Sequence, residues 1–299
     1  MKKTRKHSLG MSDKAFNTLL LVIITIFLIL VLYPLIYVVS SSLSAGRAVT
    51  DGRVILWPVD FSLEGYKLVF NNKEIWRGYG NTFFYVITTT ILNLVNTALV
   101  AYVLSRKNFQ ARKFFNIIYL IPMWFGGGLI PTYLLFSSLG MVNSRWGYVF
   151  MASVSVSNMI LLRTYFRTSI PEELLEASQM DGISDFGHFI RIAIPLSKPV
   201  LAVVTMYEIV GEWNAYFKPM IYLRSAHLQP LQLVLRRIML STQMEASMLI
   251  DASLTNQLAQ LGDVMKYSLI VVSAAPMLIL FPFVQKFFAQ GVMLGSLKG

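Results

Sequence analysis

The stretch FNTLLLVIITIFLILVLYPLIYVV, residues 16–39, is 24 residues long and carries no charged side chain. A helix that crosses the hydrocarbon core of a bilayer needs about 20 mostly apolar residues. Lysines and arginines precede the stretch, as in a signal peptide, but the apolar core of a signal peptide is only about 7–15 residues long. We therefore expect an uncleaved first membrane span.

The rest of the chain repeats this pattern. Only 14% of its residues are charged, against roughly 25% in soluble domains. The pattern predicts an all-α membrane protein with six transmembrane helices, at about 16–39, 82–104, 115–138, 147–166, 199–223 and 265–285. They form one transmembrane domain, residues 16–285, with a tail at each end, 1–15 and 286–299.

The basic residues predict the orientation. The first 14 residues hold five Lys/Arg and one acid, and the loop after the second helix holds four basic residues and no acid, namely Arg106, Lys107, Arg112 and Lys113. Short cytoplasmic loops carry such an excess. We expect both termini in the cytoplasm of a bacterial cell and a multi-pass protein of its cytoplasmic membrane. The excess of lysine and arginine in cytoplasmic segments also explains the net charge of +11, so a nucleic-acid partner is not needed to account for it.

The third predicted helix contains Pro122, Pro131 and the glycines 126–128. Proline removes a backbone donor and kinks a helix, and such irregular backbone survives in a membrane only beside protein or a water-filled cavity. We expect a broken or bent helix packed inside a bundle. It either lines a pathway or forms a crowded helix interface.

The segment between the fourth and fifth helices, residues 167–198, reads RTSIPEELLEASQMDGISDFGHFIRIAIPLSK. Ser169 and Glu172 have the spacing of a capping box. A short helix follows and should break at Gly182, because glycine adopts the backbone angles of a tight turn. A second short helix begins near Ser184 and ends near two prolines. The result is a cytoplasmic helix-turn-helix between helices 4 and 5.

This segment resembles the EAA motif of binding-protein-dependent ABC importer permeases. That motif reads Glu-Ala-Ala, three residues, Gly, nine residues, Ile, one residue, Leu, Pro. Its spacing is met throughout, with Ser178 for the second alanine and Ile194 for leucine. The resemblance predicts a coupling loop that includes Glu176, Ala177, Ser178, Asp181, Gly182, Ile192 and Pro195.

The resemblance implies that the helix pair docks into a cleft of an ATPase subunit. Small Ala177 and Ser178 would permit close approach, and Glu176 would offer a carboxylate to a basic group. Gly182 would let the two helices fold back on each other. A solvated acidic helix is the alternative, and the fixed spacing to Gly182 and Pro195 favours docking.

Most of the chain, about residues 10–299, resembles the smaller permease of maltose-type carbohydrate importers. The sequence segments that carry the resemblance are PEELLEAS at 171–178, GEWNAYFKPMIYL at 211–223 and FFAQGVMLGSLKG at 287–299. It implies a heterodimer with a second, different permease, two ATPase subunits, an extracytoplasmic solute-binding protein and an oligosaccharide substrate. Within the group, permeases for complex or uronate-containing oligosaccharides are the most similar.

Enzymatic activity is not expected. The chain has no GxxxxGK[ST] phosphate loop, no cysteine, and three histidines on different segments. No catalytic or metal-binding cluster is visible. ATP and Mg²⁺ would therefore bind the partner ATPase subunits, and this chain needs no cofactor.

Polar and aromatic residues in the apolar runs are candidates for a translocation pathway. Polar groups at membrane depth usually face a bundle interior or a cavity, and aromatic faces and amides suit sugars. The alternative is that these side chains only bind neighbouring helices. The candidates are Trp124, Tyr133, Asn158, Glu208, Trp213 and Asn214.

Three other protein classes are alternatives. An ABC permease for amino acids or polyamines would share the docking motif. A membrane-embedded transferase would need a cluster of acids, histidines or metal ligands, and the only acid cluster is the docking loop. A secondary transporter usually shows more helices and paired half-repeats.

Overall fold

The structure is a computed structural model that describes residues 11–248 and 252–296. Every regular element in these two stretches is helical, which confirms the all-α part of the predicted fold class. Contacts group the described residues of 11–71 and 239–272 into one compact unit, and those of 72–238 and 273–296 into a second.

The first unit begins with α1, Met11–Ser42, whose apolar side chains from Phe16 to Ile36 are exposed. Helices α2, Gly46–Thr50, and α3, Glu64–Asn71, follow. Ala48, Val49 and Val54 form a small buried core there. A surface as apolar as that of α1 indicates contact with lipid or with another membrane subunit.

The second unit is built around α4, Lys73–Ser105. This helix packs against α8 and α12. It starts nine residues earlier than predicted, because Asn72 caps it by accepting a hydrogen bond from the Glu74 amide at 2.9 Å. The charged residues of its first turns hid this start from the hydropathy pattern.

The remaining helices follow in chain order. They are α5 Arg112–Trp124, α6 Leu129–Ser138, α7 Arg145–Met151, α8 Val156–Ser169, α9 Glu172–Met180, α10 Asp185–His188, α11 Ile194–Leu196, α12 Lys198–Trp213, α13 Phe217–Tyr222, α14 Leu231–Met248 and α15 Ala252–Ser296. A π-helical segment, Phe189–Ala193, joins α10 to α11, and a 3₁₀ turn, Ala226–Leu228, precedes α14.

Three helical stretches of the described residues are long and apolar enough to cross a membrane, namely Asp13–Ser42, Lys73–Ser105 and Gln260–Pro282. Three bent pairs pass the same test, so up to six crossings are available. The pairs are α5 with α6 at 115°, α7 with α8 at 48°, and residues 185–196 with α12 at 82°.

The third predicted helix is broken, as expected, between Trp124 and Leu129. However, neither α5 nor α6 has a buried residue within the described chain. The expectation that this helix packs inside a bundle is therefore not met by this chain by itself.

Two other predicted helices, 147–166 and 199–223, are also broken, and their prediction as continuous helices is wrong. Ser155 ends one break by capping α8 through the Asn158 amide. Pro219 explains the other break: it has no N–H to donate to the carbonyl of Ala215, and its ring would clash there. Helix α12 accordingly ends at Trp213.

Candidate functional site

The candidate coupling loop begins at α9. Its first helical residue is Glu172, Pro171 is the N-cap, and no side chain caps the helix. Ser169 is the last residue of α8, so it is not free to cap the next helix, and the predicted capping box is wrong. The end of α9 at Met180 agrees with the sequence pattern.

Helix α9 has a buried face and an exposed face. Leu175 and Ser178 are buried, and the Ser178 hydroxyl donates to the Leu175 carbonyl at 2.7 Å. Glu176 and Ala177 are exposed. Only Ala177 therefore offers a small side chain to a partner surface. Ser178 is buried within this chain, and its part in the contact with an ATPase subunit stays a prediction.

The turn after α9 has the geometry that the sequence predicts. Gly182 has a φ of +76°, in the left-handed region that glycine enters without steric cost. The Ile183 amide then donates to the Ser178 carbonyl at 2.9 Å. Ser184 caps α10 by accepting from the Gly187 amide at 3.2 Å. Exposed Asp181 lies at the tip of this turn.

The other two motif residues follow α10. Ile192 is half-buried in the π-helical segment, and Pro195 is exposed in α11. A proline cannot donate to the carbonyl four residues earlier. The chain instead forms a wider turn, in which the Ile194 amide donates to the Phe189 carbonyl.

The helix-turn-helix is anchored to the end of α4. The Tyr102 hydroxyl donates to the Asp185 carbonyl at 3.1 Å and lies 2.9 Å from Nδ1 of His188. His188 is fully buried. The Arg106 guanidinium lies 4.2 Å from the centre of the Tyr102 ring, and Lys107 forms an ion pair with Glu172. We name Tyr102, Arg106 and His188 the anchor cluster.

Burial lowers the pKa of His188, and the neighbouring Arg106 charge lowers it further, while Asp185 acts in the opposite direction. The imidazole is therefore held neutral at physiological pH. Sequence reasoning treated His188 as an isolated residue. Since its partners lie more than 80 residues earlier in the chain, no local pattern could have revealed the cluster.

Two of the candidate pathway residues meet in the structure. Nδ2 of Asn158 on α8 donates to Oε1 of Glu208 on α12 at 2.6 Å. One turn further along α12, Glu212 accepts from the Tyr148 hydroxyl at 2.5 Å. Lys218 lies 5.0 Å from the centre of the Tyr148 ring and interacts electrostatically with Glu212 and Glu208. We call these five residues the polar cluster.

The polar cluster includes three residues that are not among the predicted pathway residues, Tyr148, Glu212 and Lys218. Lys218 could have been found, because it is the one cation in the apolar run 199–223 that also holds two glutamates. A lysine and two carboxylates in one apolar segment are costly unless they face each other or a polar cavity. Tyr148 carries no comparable signal.

Trp213 is buried, and its indole N–H donates to the Ser273 carbonyl at 3.1 Å. Its ring packs against Tyr79 and Phe83. In this conformation Trp213 is a packing residue, and its role in lining a pathway stays a prediction. Asn214 is exposed and its side chain bonds the Val210 carbonyl of its own helix at 2.9 Å.

The two remaining candidates lie on the broken third helix. Trp124 is exposed. Tyr133 packs against Tyr222 with ring centres 5.9 Å apart and the rings tilted by 38°, and its hydroxyl accepts a hydrogen bond from Arg224. Tyr133 and Tyr148 belong to the same hydrophobic cluster, so Tyr133 packs near the polar cluster.

No protein-family model matches the chain, but known proteins do. The chain is 32% identical over 296 residues to the polygalacturonan/rhamnogalacturonan transport system permease protein YtcP of Bacillus subtilis, with 97% of this chain and all of that protein covered. It is 33% identical over 276 residues to protein LplC of the same organism, covering 89% of each chain.

A solved structure shows the same fold. It is the crystal structure of a bacterial ABC transporter involved in the import of the acidic polysaccharide alginate. The TM-score is 0.85 at 34% identity, with 93% of this chain and 98% of that chain covered.

Fold and relatives together define an integral membrane permease of the transporter class. The chain belongs to the family of carbohydrate ABC transporter permeases. Its function is that of a permease subunit of an ABC importer, and its relatives are transporter subunits rather than enzymes.

Proposed function

We propose that this permease forms one half of the translocation pathway of an importer for oligosaccharides. Six membrane crossings are assigned to α1, α4, the α5–α6 pair, the α7–α8 pair, α12 with α13, and residues 260–282 of α15. Residues 185–196, which also form a bent apolar pair with α12, are assigned to the coupling loop instead of to a crossing. Each pair is broken by a short irregular segment, which a membrane tolerates where protein or a cavity satisfies the backbone. The transmembrane domain spans 16–285, and the tails are 1–15 and 286–299.

The observation that carries the coupling role is the anchored helix-turn-helix. Glu176 and Ala177 are exposed on α9. The first residue of α9, Glu172, forms an ion pair with Lys107 just after α4, and the adjoining α10 is held to α4 through Tyr102 and His188. A surface that is exposed and yet rigidly attached to a membrane helix is suited to transmitting movement. We infer that α9 docks on an ATPase subunit, with segment 167–198 and both termini in the cytoplasm of a bacterial cell.

The partners follow from this arrangement. A second, different permease completes the pathway, two ATPase subunits bind ATP and Mg²⁺, and an extracytoplasmic binding protein delivers the substrate. The exposed apolar surfaces of α1, α5 and α6 support a second permease or lipid as their neighbours. ATP binding would close the ATPases, move the docked helices and open the pathway outward.

The substrate we propose is an oligosaccharide that contains uronate residues. YtcP is named for polygalacturonan and rhamnogalacturonan, and the importer with the similar fold takes up alginate, an acidic polysaccharide. The polar cluster offers Lys218, a cation, together with hydroxyl, amide and carboxylate groups. Such groups suit a sugar that carries both hydroxyls and a carboxylate.

The test is a pull-down of the tagged chain from detergent after expression from its native operon. We expect a second permease and an ATPase in the eluate. Reconstituted with the binding protein, the complex should hydrolyse ATP faster with galacturonate oligomers than with neutral maltooligosaccharides. Recovery of a folded chain without partners would overturn the proposal, and stimulation by neutral sugars alone would overturn the substrate class.

A charge reversal tests the docking surface. Glu176→Lys should reduce recovery of the ATPase, because it places a cation where we expect a basic partner group, and like charges repel. Glu64→Lys, an equal change at an exposed residue of α3, is the control and should leave recovery unchanged. Equal losses for both variants would indicate a general effect of charge rather than a specific contact.

A further inference from the structure

A cavity of about 340 Å³ lies between α4, α5 and α8, beside the coupling loop. Its walls carry two apolar side chains, Leu104 and Ile117, and one amide, Asn116. The other lining residues are all cations, namely Arg112, Lys113, Arg163 and Arg167. We name this space the basic cavity.

The four cations have no acidic counterpart within the described part of the chain. The five ion pairs found there involve other residues. Arg163 instead donates a hydrogen bond to Oδ1 of Asn116. The positive charges of Arg112 and Arg167 both repel the Arg163 guanidinium. Like charges gathered in a partly desolvated site disfavour one another, so the cavity is suited to an anion.

The surroundings of the basic cavity are apolar on one side. Along α5, Phe114, Ile118 and Ile121 are exposed, and no residue of that helix is buried within the described chain. The site thus combines a cationic pocket with an adjoining apolar helix face. A phosphate matches the guanidinium groups, which can bind it through paired hydrogen bonds, and acyl chains match the helix face.

We propose that the basic cavity binds the phosphate of an anionic membrane lipid, whose acyl chains cover the exposed face of α5. Basic pockets between membrane helices on the cytoplasmic side have the chemistry for such head groups. The phosphate would bridge Arg112 of α5 and the two arginines of α8, and so hold α5 against the rest of the unit. Placing the lipid in the cytoplasmic leaflet relies on the orientation proposed above. The presence of the basic cavity does not depend on that orientation.

The experiment uses the complete purified importer in a neutral detergent. Binding is measured by native mass spectrometry during titration with dioleoyl-phosphatidylglycerol, with dioleoyl-phosphatidylcholine, and with inorganic phosphate. We expect saturable binding of phosphatidylglycerol and no saturable binding of phosphatidylcholine. Inorganic phosphate at millimolar concentration should not compete with phosphatidylglycerol for the site. Competition by phosphate alone would identify a free-anion site and overturn the lipid proposal.

The double variant Arg112→Gln/Arg167→Gln should weaken phosphatidylglycerol binding about 30-fold, because each basic residue near an anionic surface contributes roughly fivefold. Lys73→Gln/Arg77→Gln removes two exposed charges from the opposite end of α4 and should leave binding unchanged. Equal weakening in both variants would overturn the assignment. So would unchanged lipid binding with loss of the second permease, since the cavity would then be a subunit interface.

The outcome is independent of the proposed transport activity. Lipid binding is measured without substrate and without ATP, so a wrong substrate class or a wrong docking surface would leave it intact. Conversely, loss of the lipid site would leave the family assignment and the substrate test as they stand.

Discussion

At the residue scale, Gly182 is the position where backbone conformation and proposed function meet. Its φ of +76° costs an L-residue roughly 1–2 kcal/mol, and more if the side chain is β-branched. No side chain or backbone atom lies within 4 Å of the place where a Cβ would stand. The requirement for glycine is therefore conformational and not steric.

Gly182→Val should uncouple the importer. We expect the turn to distort, α9 to lose its position, and substrate-stimulated ATP hydrolysis to fall several-fold while the protein still inserts in the membrane. Gly182→Asn should retain most of the activity, because asparagine tolerates the left-handed region. If the valine variant matched wild type in ATPase stimulation, the turn geometry would not matter for coupling.

His188 gives a second residue-scale prediction, on pH. Its pKa is lowered in the folded state, first by burial and then by Arg106, with Asp185 opposing. The unfolded state therefore binds more protons than the folded state. The stabilisation is fully present above about pH 6.5, the ordinary pKa of histidine, and is lost as the pH falls toward the lowered value.

We expect the melting temperature of the purified complex to fall between pH 7 and pH 5, and to fall less in His188→Gln, which cannot titrate. His227→Gln changes an exposed histidine and should keep the wild-type pH dependence. Identical pH profiles for wild type and His188→Gln would show that His188 does not titrate with unfolding. Tyr102 and Arg106 remain in place in both variants.

At the scale of elements, the sequence predicted where helices exist better than where they break. Pro122 and the three glycines 126–128 predicted the break between α5 and α6. The break after Trp213 had a weaker signal, Pro219, within a run that otherwise looked continuous. The break before Ser155 follows from a hydrogen bond to a backbone amide, and serine in an apolar run is equally compatible with an unbroken helix.

The Asn158–Glu208 hydrogen bond joins α8 to α12 beside their shared apolar core, and it supplies a further prediction. Asn158→Leu removes the donor and leaves a half-buried carboxylate without this partner. Loss of a hydrogen bond to a charged group costs roughly 1.5–3 kcal/mol, so we expect a lower melting temperature of the solubilised complex.

Asn214→Leu is the matched control. Asn214 is exposed and bonds only within its own helix in the described contacts, so its loss should change the melting temperature much less. A larger effect at 214 than at 158 would contradict this account of how the two helices are held together.

At the scale of the whole molecule, apolar runs and basic loops predicted the fold class and an orientation. The contacts within the site could not be predicted in the same way. The anchor cluster joins α4 to α10, and the polar cluster joins α7, α8, α12 and α13, so both depend on pairings between distant segments. A single sequence records which residues are polar but not which of them meet.

The orientation can be tested directly, because the chain contains no cysteine. Single cysteines at Asn108 and Gln179 should react with a membrane-impermeant maleimide only after the cells are permeabilised. Cysteines at Asn71 and His227 should react in intact cells. All four positions are exposed. Labelling of Gln179→Cys in intact cells would invert the proposed topology or change the number of crossings.

Helix α4 has a mechanical consequence. Near one end, Asn81 donates to the carbonyls of His227 and Gln229 and accepts from Arg145. At the other end, Tyr102 holds the helix-turn-helix. The two side chains are separated by roughly 32 Å of continuous helix, with no proline between them. Such a helix behaves as a stiff rod, so if the loop docks as proposed, its displacement should be transmitted along α4 to the contacts of Asn81.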